Sequence, residues 1–339
     1  MPTAMVRLER KVAPLAVLLI LAVSTLMLTP KSGTGADIVS SYGYENNILL
    51  ENETARVVIC PRTGGRILEY SINEENILYR DPAQDGWVYE PGEPVIDPGG
   101  GRFDIGPEKL IPPHPVLWAG EWSGEITGPR SARLISQADS ATGVQLIREF
   151  RLDSVTSRLE SRQIMKNISA DTVRWCYWSR TLATGGGIVI VPIEGRNRYP
   201  NKYIMYEENA RISYNPSDPD IRVSDNYVEV LHTPRESKIA LESYAGWMAY
   251  LTQEDLLLVK KYPVYPGRVH HELAGFNVSV WYKEERMTEV EPIGPEEILA
   301  PGEAAAYTES WWLTPYSFPE QREDVDPDTI RNYIRENMR

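Results

Sequence analysis

The sequence predicts an all-β fold, a large antiparallel β-sandwich followed by one short C-terminal helix. Many short runs of β-branched and aromatic residues follow one another, separated by turn residues. The chain contains 26 Pro and 24 Gly, and helical periodicity is almost absent before its end. These three features are typical of antiparallel sandwiches, in which short strands are joined by tight turns.

The predicted strands are short and are separated by loops that contain glycine, proline or polar residues. A Gly-rich turn at residues 63–65 indicates a hairpin between the first two strands. Later strands carry Glu289 and Tyr307. The other predicted strands are residues 55–60, 66–70, 76–79, 144–152, 157–165, 172–178, 187–191, 203–206, 227–231, 247–251, 256–260 and 277–282.

Residues 81–122 interrupt this pattern. The segment is rich in Pro and Gly and shows little alternation. A structureless stretch of this length inside a domain is usually functional or disordered, and its aromatic and charged residues argue against disorder. We expect long loops folded over one face of the sheet. The residues of interest are Trp87, Tyr89, Arg102, His114, Trp118, Glu121 and Trp122.

The one predicted helix lies at the C-terminus. Asp326 is a suitable N-cap and Pro327 occupies the first helical position. Ile330, Tyr333 and Ile334 form an apolar stripe on one face. We expect this helix either to pack on the outside of the sheet or to fray.

The N-terminus has the features of an export signal. Arg7, Arg10 and Lys11 precede an apolar run at residues 12–28, and small residues follow. The segment is either a cleaved signal peptide or a retained membrane anchor, and the absence of Cys there excludes a lipid-modified cysteine. We therefore expect an exported, periplasmic or extracellular protein. Its predicted parts are residues 1–36 (signal or anchor), 37–316 (β-sandwich domain) and 317–339 (helical tail).

Charge and motifs narrow the classes of partner. The formal net charge is −13, which disfavours nucleic acids and anionic membrane surfaces, so we expect membrane contact only through the N-terminal segment. The run from Asp218 to Asp225 superficially resembles a calcium loop but lacks its glycine. We expect no metal and no cofactor. Cys60 and Cys176 could form a disulfide or remain two buried thiols.

Two alternating runs near the end of the chain contain candidate ligand-binding residues. Glu289 and Glu291 lie two apart, so on a strand they share a face; Tyr307, Glu309 and Trp311 form a second such set. Carboxylates accept hydrogen bonds from hydroxyls and aromatic rings stack on sugars, so both sets suit a polyhydroxylated ligand. The alternatives are a polar face of an edge strand for the first pair and, for the second set, core packing of Trp311 and a buried ion pair at Glu309.

Three segments together resemble the galactose mutarotase-like superfamily. They are PRTGGRILEYSINEENILY (residues 61–79), DPGGGRFDIGPE (residues 97–108), and EVEPIGPEEILAPGE with TESWWL near the end. The second and third resemble an often exported branch of that superfamily, and the overall resemblance spans roughly residues 44–315. It implies a large antiparallel supersandwich with a sugar-binding cleft on its concave face.

The resemblance also implies roles for residues. In mutarotases a late Glu acts as the base, and Glu289 or Glu291 matches that position. The acid is a His on a central strand, but the matching segment, residues 167–183, contains no His and has Arg180 near the expected place. Arginine does not release its proton near neutral pH, so it cannot replace that acid. The remaining candidates for returning a proton are His114 and a second carboxylate.

We therefore predict a carbohydrate-binding protein. The reaction, if one occurs, would use Glu291 or Glu289 with His114 or a second carboxylate, in a sugar epimerase-like isomerase or another carbohydrate-active enzyme. Arg102 and Arg180 would stabilise developing negative charge. The alternative is a non-catalytic cell-envelope scaffold that docks a glycan or a partner. The predicted substrate-binding residues are Arg102, Arg180, Trp178, Trp118, Trp122 and Glu309.

Overall fold

Two antiparallel sheets enclose the core in the computed structural model, which describes residues 34–207 and 211–338. The first half of the chain forms β1 (Gly35–Ser41), β2 (Tyr44–Glu51), β3 (Arg56–Cys60), β4 (Arg66–Ile72), β5 (Glu75–Asn76), β6 (Gly101–Gly106), β7 (Ser123–Gly128), β8 (Ser131–Ile135), β9 (Val144–Leu152), β10 (Leu159–Asn167) and β11 (Val173–Thr184). The second half forms β12 (Ile188–Pro192), β13 (Tyr203–Glu207), β14 (Arg211–Ser213), β15 (Ile221–Val223), β16 (Tyr227–Val230), β17 (Lys238–Leu241), β18 (Trp247–Leu251), β19 (Leu256–Lys261), β20 (Val278–Lys283), β21 (Met287–Leu299) and β22 (Ala304–Pro315). The helices are α1 (Pro115–Trp118), α2 (Pro327–Asn337) and short 3-10 turns at Pro82–Gln84, Leu273–Gly275, Glu284–Arg286 and Arg322–Asp324.

Strand order places the longest strands in the middle of each sheet. Sheet I runs β1-β2-β3-β4-β6-β11-β21-β20-β17-β13-β14, with β5 paired to β4. Sheet II runs β15-β16-β12-β18-β19-β22-β10-β9-β8-β7. This arrangement confirms the predicted all-β sandwich with its C-terminal helix.

The core between the sheets follows from residue alternation. Along β10 buried and more exposed side chains alternate from Leu159 to Asn167, as expected for a strand with one face on the core. Trp311 of sheet II is fully buried and its ring centroid lies 6.1 Å from that of Tyr70 in sheet I. Such large rings supply much of the apolar area that holds the two sheets together.

The C-terminal helix forms as predicted and packs on the outer face of sheet II. The Asp326 side chain accepts a hydrogen bond from the Asp328 amide, and Pro327 begins the helix. Ile330 and Ile334 are buried in an apolar cluster with residues of β12, β18 and β19. Packing against the sheet explains why the helix persists, since a helix of this length is marginal by itself.

The prediction of loops throughout residues 81–122 is wrong for two segments, the one-turn helix α1 and a strand. Gly101–Gly106 is strand β6, which pairs with β4 and β11 in the middle of sheet I. The Gly-rich sequence hides the strand, because glycine has low β-propensity. Gly101 is required there: a Cβ at this position would lie 2.7 Å from the Trp311 ring.

Other predictions have mixed outcomes. Cys60 and Cys176 are buried free thiols, so the disulfide alternative does not apply.

Residues 1–33, which hold most of the predicted signal or anchor, lie outside the described residues, and β1 begins at Gly35. The boundaries at residues 36 and 316 therefore remain predictions. None of the helices in the described ranges is long and apolar enough to cross a membrane.

Candidate functional site

The candidate site lies on the face of sheet I that points away from the core, where β6, β11 and β21 run side by side. Arg102 of β6 is the register partner of Arg180 of β11, and Leu182 of β11 is that of Glu289 of β21. Because alternate residues of a strand share a face, each strand contributes two or more polar side chains to the same surface. The segments before and after β6 lie beside this surface and supply Asp97 and Trp118.

Arg180 is the centre of the site. Its Nε donates to Asp104 Oδ2 at 3.2 Å, and its Nη1 lies 3.6 Å from Oε1 of both Glu289 and Glu291. Its Nη2 lies 3.9 Å from Glu108 Oε1. Burial by itself would lower the pKa of Arg180, but the surrounding carboxylates outweigh it and raise that pKa. Arg180 is therefore a permanent cation shared among acidic groups.

The two glutamates beside Arg180 differ in their surroundings. Glu291 is fully buried, and its Oε1 accepts the indole N–H of Trp178 at 2.5 Å. Glu289 lines the cleft and is only 3% exposed. Burial and the adjacent charge of Glu291 raise the pKa of Glu289 to about 8, although Arg180 acts in the opposite direction. Glu289 can therefore exchange a proton near neutral pH.

An open cleft of about 490 Å³ lies above Arg180 and Glu289. This volume is within the range of small-molecule sites. The cleft combines three aromatic side chains with charged and hydroxyl groups, a mixture suited to a ligand with both apolar and polar faces. The lining residues are Asp97, Glu108, Lys109, Trp118, Arg180, Tyr206, Glu207, Ser237, Lys238, Trp281 and Glu289.

Lys238 of β17 closes one side of the cleft. Its Nζ donates to Glu108 Oε2 at 2.6 Å and lies 4.9 Å from the centroid of the Trp178 ring. Burial would raise the pKa of Glu108, but Lys238 and then Arg180 reverse this effect and lower it. Glu108 is therefore an ionised carboxylate of the cleft at neutral pH.

Arg102 lies behind Trp118. Its Nη2 donates to Asp97 Oδ1 at 2.8 Å, and its Cζ lies 3.7 Å from the centroid of the Trp118 ring. The side chain is 2% exposed, and burial lowers its pKa. Cation–π contact at this distance fixes the plane of the indole ring, so Arg102 holds Trp118 at the edge of the cleft.

His114 connects the covering segment to the strands. Its Nε2 lies 2.8 Å from Asp104 Oδ1 and its Nδ1 lies 2.8 Å from the carbonyl oxygen of Pro112. Burial would lower the pKa of His114, but the hydrogen bond and charge of Asp104 outweigh it and raise that pKa. Because a carboxylate and a carbonyl both accept, the imidazolium form of His114 can donate to both of them, and this contact orients Asp104.

A second, more apolar groove of about 510 Å³ adjoins the cleft. Asp97, Glu108 and Trp118 line both cavities, so these three residues form the boundary between them. The remaining wall of the groove consists of Val95, Ile96, Ile111, Pro112, Pro113, His114 and Pro115.

Comparison with known families identifies the chain. The family described as "Domain of unknown function (DUF4380)" matches residues 108–314, which include most of the strands described above. The chain belongs to this DUF4380 family. No curated protein sequence matches it significantly.

Solved structures show the fold of this DUF4380 member. A galactose mutarotase-like protein from Lactobacillus casei is 10% identical with a TM-score of 0.55, covering 79% of this chain and 100% of that one. A galactose mutarotase-like protein from Clostridium acetobutylicum is 10% identical with a TM-score of 0.55, covering 83% and 98%. A galactose mutarotase related enzyme from Lactobacillus acidophilus is 11% identical with a TM-score of 0.56, covering 80% and 98%. The DUF4380 chain therefore has the fold of the galactose mutarotase-like superfamily.

The structure brings most of the predicted site residues together. Around Arg180 in this DUF4380 chain are Arg102, His114, Trp118, Trp178, Glu289 and Glu291. Trp178 is fully buried, with Arg180 4.8 Å from its ring centroid. It therefore supports the arginine, and of the three predicted stacking rings only Trp118 lines the cleft.

Two predicted site residues lie elsewhere. Trp122 is in the core, where its ring packs against Gly65, and Glu309 is fully buried between the sheets. Glu309 Oε2 contacts Lys260 at 3.1 Å and accepts the Trp311 indole N–H at 2.8 Å. The side chains of Tyr307, Glu309 and Trp311 do share one face of β22, but that face points into the core. Glu309 therefore forms a buried ion pair, which is the alternative interpretation given above.

Several residues in or beside the DUF4380 cleft were missed. Glu108 and Asp104 lie within the Gly-rich segment that carries the family resemblance, and Asp104 is two residues from Arg102, so alternation on a strand would have indicated it. Tyr206, Lys238 and Trp281 come from distant strands, and no local signal in the sequence links them. Residues 34–207 and 211–338 hold no cluster of three or more His, Cys, Asp or Glu suited to a metal ion.

Proposed function

We propose that this protein is an exported carbohydrate-binding protein whose ligand lies in the cleft above Arg180, and that Glu289 exchanges a proton with the bound sugar. One observation carries the proposal. Glu289 lines the cleft as a nearly buried carboxyl with a pKa raised to about 8, beside a guanidinium 3.6 Å away. A carboxyl in this condition is a candidate for acid–base chemistry.

The composition of the cleft supports sugar binding. Trp118, Tyr206 and Trp281 offer ring surfaces for the apolar face of a pyranose. Arg180 and Lys238 donate hydrogen bonds, and carboxylates accept them from hydroxyls. A superfamily fold shared with galactose mutarotase-like proteins agrees with this ligand class.

The two carboxyls on either side of Arg180 suggest a reaction. Glu289 in its acid form would give a proton to the ring oxygen of an aldose while the ionised Glu108 takes the proton of the anomeric hydroxyl. The bond between the anomeric carbon and the ring oxygen breaks and a carbonyl forms, so protons and electrons balance. Reclosure on the other face of the carbonyl interconverts the anomers. Glu291 is less suited because Trp178 occupies its Oε1.

A second candidate is a non-catalytic glycan-docking protein of the cell envelope. Arg180 favours it, because this strand carries a permanent cation where the resemblance expects a titratable His. Both ring nitrogens of His114 already contact Asp104 and Pro112, which leaves that imidazolium unsuited to proton exchange with a ligand.

Two measurements test these proposals. Thermal shift against neutral monosaccharides, uronic acids and oligosaccharides tests binding, since a ligand at 100 times its Kd stabilises the fold by about 2.7 kcal/mol. Exchange NMR on the anomers of each sugar that binds tests the reaction. Acceleration by the parent protein that Glu289→Gln abolishes supports catalysis. Glu125→Gln, at an exposed position on β7, is the matched control.

The outcomes separate the two candidates. Binding without acceleration of anomer exchange favours the docking protein. Absence of any thermal shift across the panel at millimolar sugar concentrations would contradict carbohydrate binding itself.

A further inference from the structure

Lys260 is a fully buried lysine between the two sheets. It lies on β19 of sheet II, and its Nζ is within 3.1 Å of four oxygen atoms. These are Ser179 Oγ at 3.0 Å, Thr181 Oγ1 at 2.8 Å, the Val290 carbonyl oxygen at 3.1 Å and Glu309 Oε2 at 3.1 Å. An ammonium has three protons, so every one of them has an acceptor.

Three of these contacts are with the two strands of sheet I that carry the cleft. Ser179 and Thr181 flank Arg180 on β11, and Val290 directly follows Glu289 on β21. Successive side chains of a strand point to opposite faces. An ammonium that grips these strands from the core side therefore fixes the backbone that carries the cleft residues on the other side.

The side chains on the same face of the strand as Lys260 pack in the apolar core, so an apolar residue is expected at its position. Leu256, Leu258 and Tyr262 share its face and belong to the core cluster. Replacement of a buried ion pair by apolar residues is often neutral or stabilising, so packing alone does not explain a lysine here.

The charged groups near Lys260 come from three further strands. They are Glu309 of β22, Arg148 of β9 and Glu291 of β21. Burial lowers the pKa of Lys260, and Glu309 opposes this effect. Glu309 thus supplies a negative charge beside Lys260 where it meets sheet I.

We infer that Lys260 is a positioning residue for the cleft, which sets the separation between Arg180 and Glu289 from the opposite face of sheet I. The inference rests on the proposed function only in taking Arg180 and Glu289 as ligand-binding groups. The contacts themselves require no ligand.

The test is a carbon-13 NMR titration of the Glu289 carboxyl in the protein alone, assigned by the loss of its signal in Glu289→Gln. Lys260→Met by itself would leave Glu309 buried without its partner, so the main variant is Lys260→Met with Glu309→Gln. Lys261→Met is the matched control, since Lys261 lies on the outer face of the same strand and contacts the Met338 carbonyl.

The paired variant is expected to raise the Glu289 titration midpoint by at least about half a pH unit, roughly threefold in proton affinity. The reason is that Arg180, which lowers this pKa, is no longer held against Glu289. Lys261→Met is expected to leave the midpoint unchanged. A merely structural role would lower stability in the paired variant without moving the midpoint.

Thr181→Val provides a second, gentler variant, because it removes the nearest acceptor and keeps a similar side-chain shape. We expect a smaller shift in the same direction. A Glu289 midpoint that stays at the parent value in both variants overturns the inference. Failure of every sugar to bind, together with the expected shift, would contradict the proposed function and leave the positioning role supported.

Discussion

Trp178 donates its indole N–H to Glu291 Oε1 over 2.5 Å, beneath the floor of the cleft. This bond gives the two neighbouring glutamates different roles. Glu291 is held beneath the floor as a partner of Trp178 and Arg180, while Glu289 faces the cleft and carries the raised pKa. The two neighbouring carboxyl groups on one strand face therefore differ: the hydrogen bond from Trp178 fixes the position of Glu291, while Glu289 can hold a proton.

The raised pKa of Glu289 predicts a specific pH dependence of stability. Its folded-state pKa of about 8 exceeds the ordinary value of 4.5, so the native state binds more protons between these two values. Stability from this group is therefore present at acidic pH and is lost as pH rises from 4.5 to about 8. Glu289→Gln mimics the protonated form and removes that loss.

We expect Glu289→Gln to be close to neutral at pH 5 and to stabilise the protein by at least about 1 kcal/mol at pH 8.5, since one pKa unit corresponds to 1.36 kcal/mol. Urea unfolding of both proteins at the two pH values measures this difference. Parallel pH profiles for parent and variant would show that Glu289 titrates in its ordinary range.

The imidazolium state of His114 predicts the same sign of pH dependence. Its pKa is raised above 6.5 by Asp104 despite burial, so its contribution to stability is present below pH 6.5 and is lost as pH rises through the folded-state pKa. Hydrogen bonds to charged groups contribute about 1.5–3 kcal/mol. We expect His114→Gln to cost about that much at pH 6 and less at pH 9.

Urea unfolding at both pH values measures the His114 effect. His232→Gln is the control, because His232 is exposed. A cost for His114→Gln that is the same at pH 6 and pH 9 would mean that His114 is neutral throughout and acts only through packing.

The sequence predicted the fold well because strand alternation and turn residues are local signals. The resemblance to the galactose mutarotase-like superfamily predicted Glu289, Glu291 and Arg180 as neighbours, because it implies that these positions of the chain meet in one cleft. It misplaced Glu309 because alternation tells which residues share a face and does not tell which face meets the core. Glu309 faces the core, where its ion-pair partner Lys260 lies on the adjacent strand of sheet II.

Trp122 and the cleft residue Trp281 illustrate the same limit. Both are aromatic residues within two positions of a charged one in the sequence, Glu121 for Trp122 and Lys283 for Trp281, and only long-range packing separates them. Trp122 fills the space over Gly65, whereas Trp281 is the register partner of Glu289 on the adjacent strand β20. A prediction from local pattern has no access to either relationship.

We expect the indole of Trp118 to contribute strongly to ligand affinity. It is the ring at the edge of the cleft, held by Arg102 at 3.7 Å and by a hydrogen bond from its Nε1 to the Ile96 carbonyl at 3.2 Å. A ring fixed in advance binds without losing rotamer freedom. We expect Trp118→Ala to weaken sugar binding by about tenfold or more, consistent with aromatic hot spots.

Calorimetry with the sugar that gives the largest thermal shift measures the Trp118 effect. Trp175→Ala is the comparison. Trp175 is half-buried near the start of β11, five residues before Arg180, and its Nε1 donates to the Thr142 carbonyl oxygen. Equal losses of affinity in the two variants would point to general destabilisation rather than contact with the ligand.

A side chain at position 101, in the middle of sheet I, is expected to lower the stability of the protein. A Cβ there would lie 2.7 Å from the Trp311 ring, which is fully buried and has no room to retreat. Overpacking of a core commonly costs about 1–3 kcal/mol. We expect Gly101→Ala to lower the free energy of unfolding by that amount and to weaken ligand binding as well, because the next residue of β6 is Arg102. Gly267→Ala is the control, as nothing lies within 4 Å of its added Cβ. Urea unfolding compares the two variants, and equal stability would show that sheet I shifts enough to accept the methyl group.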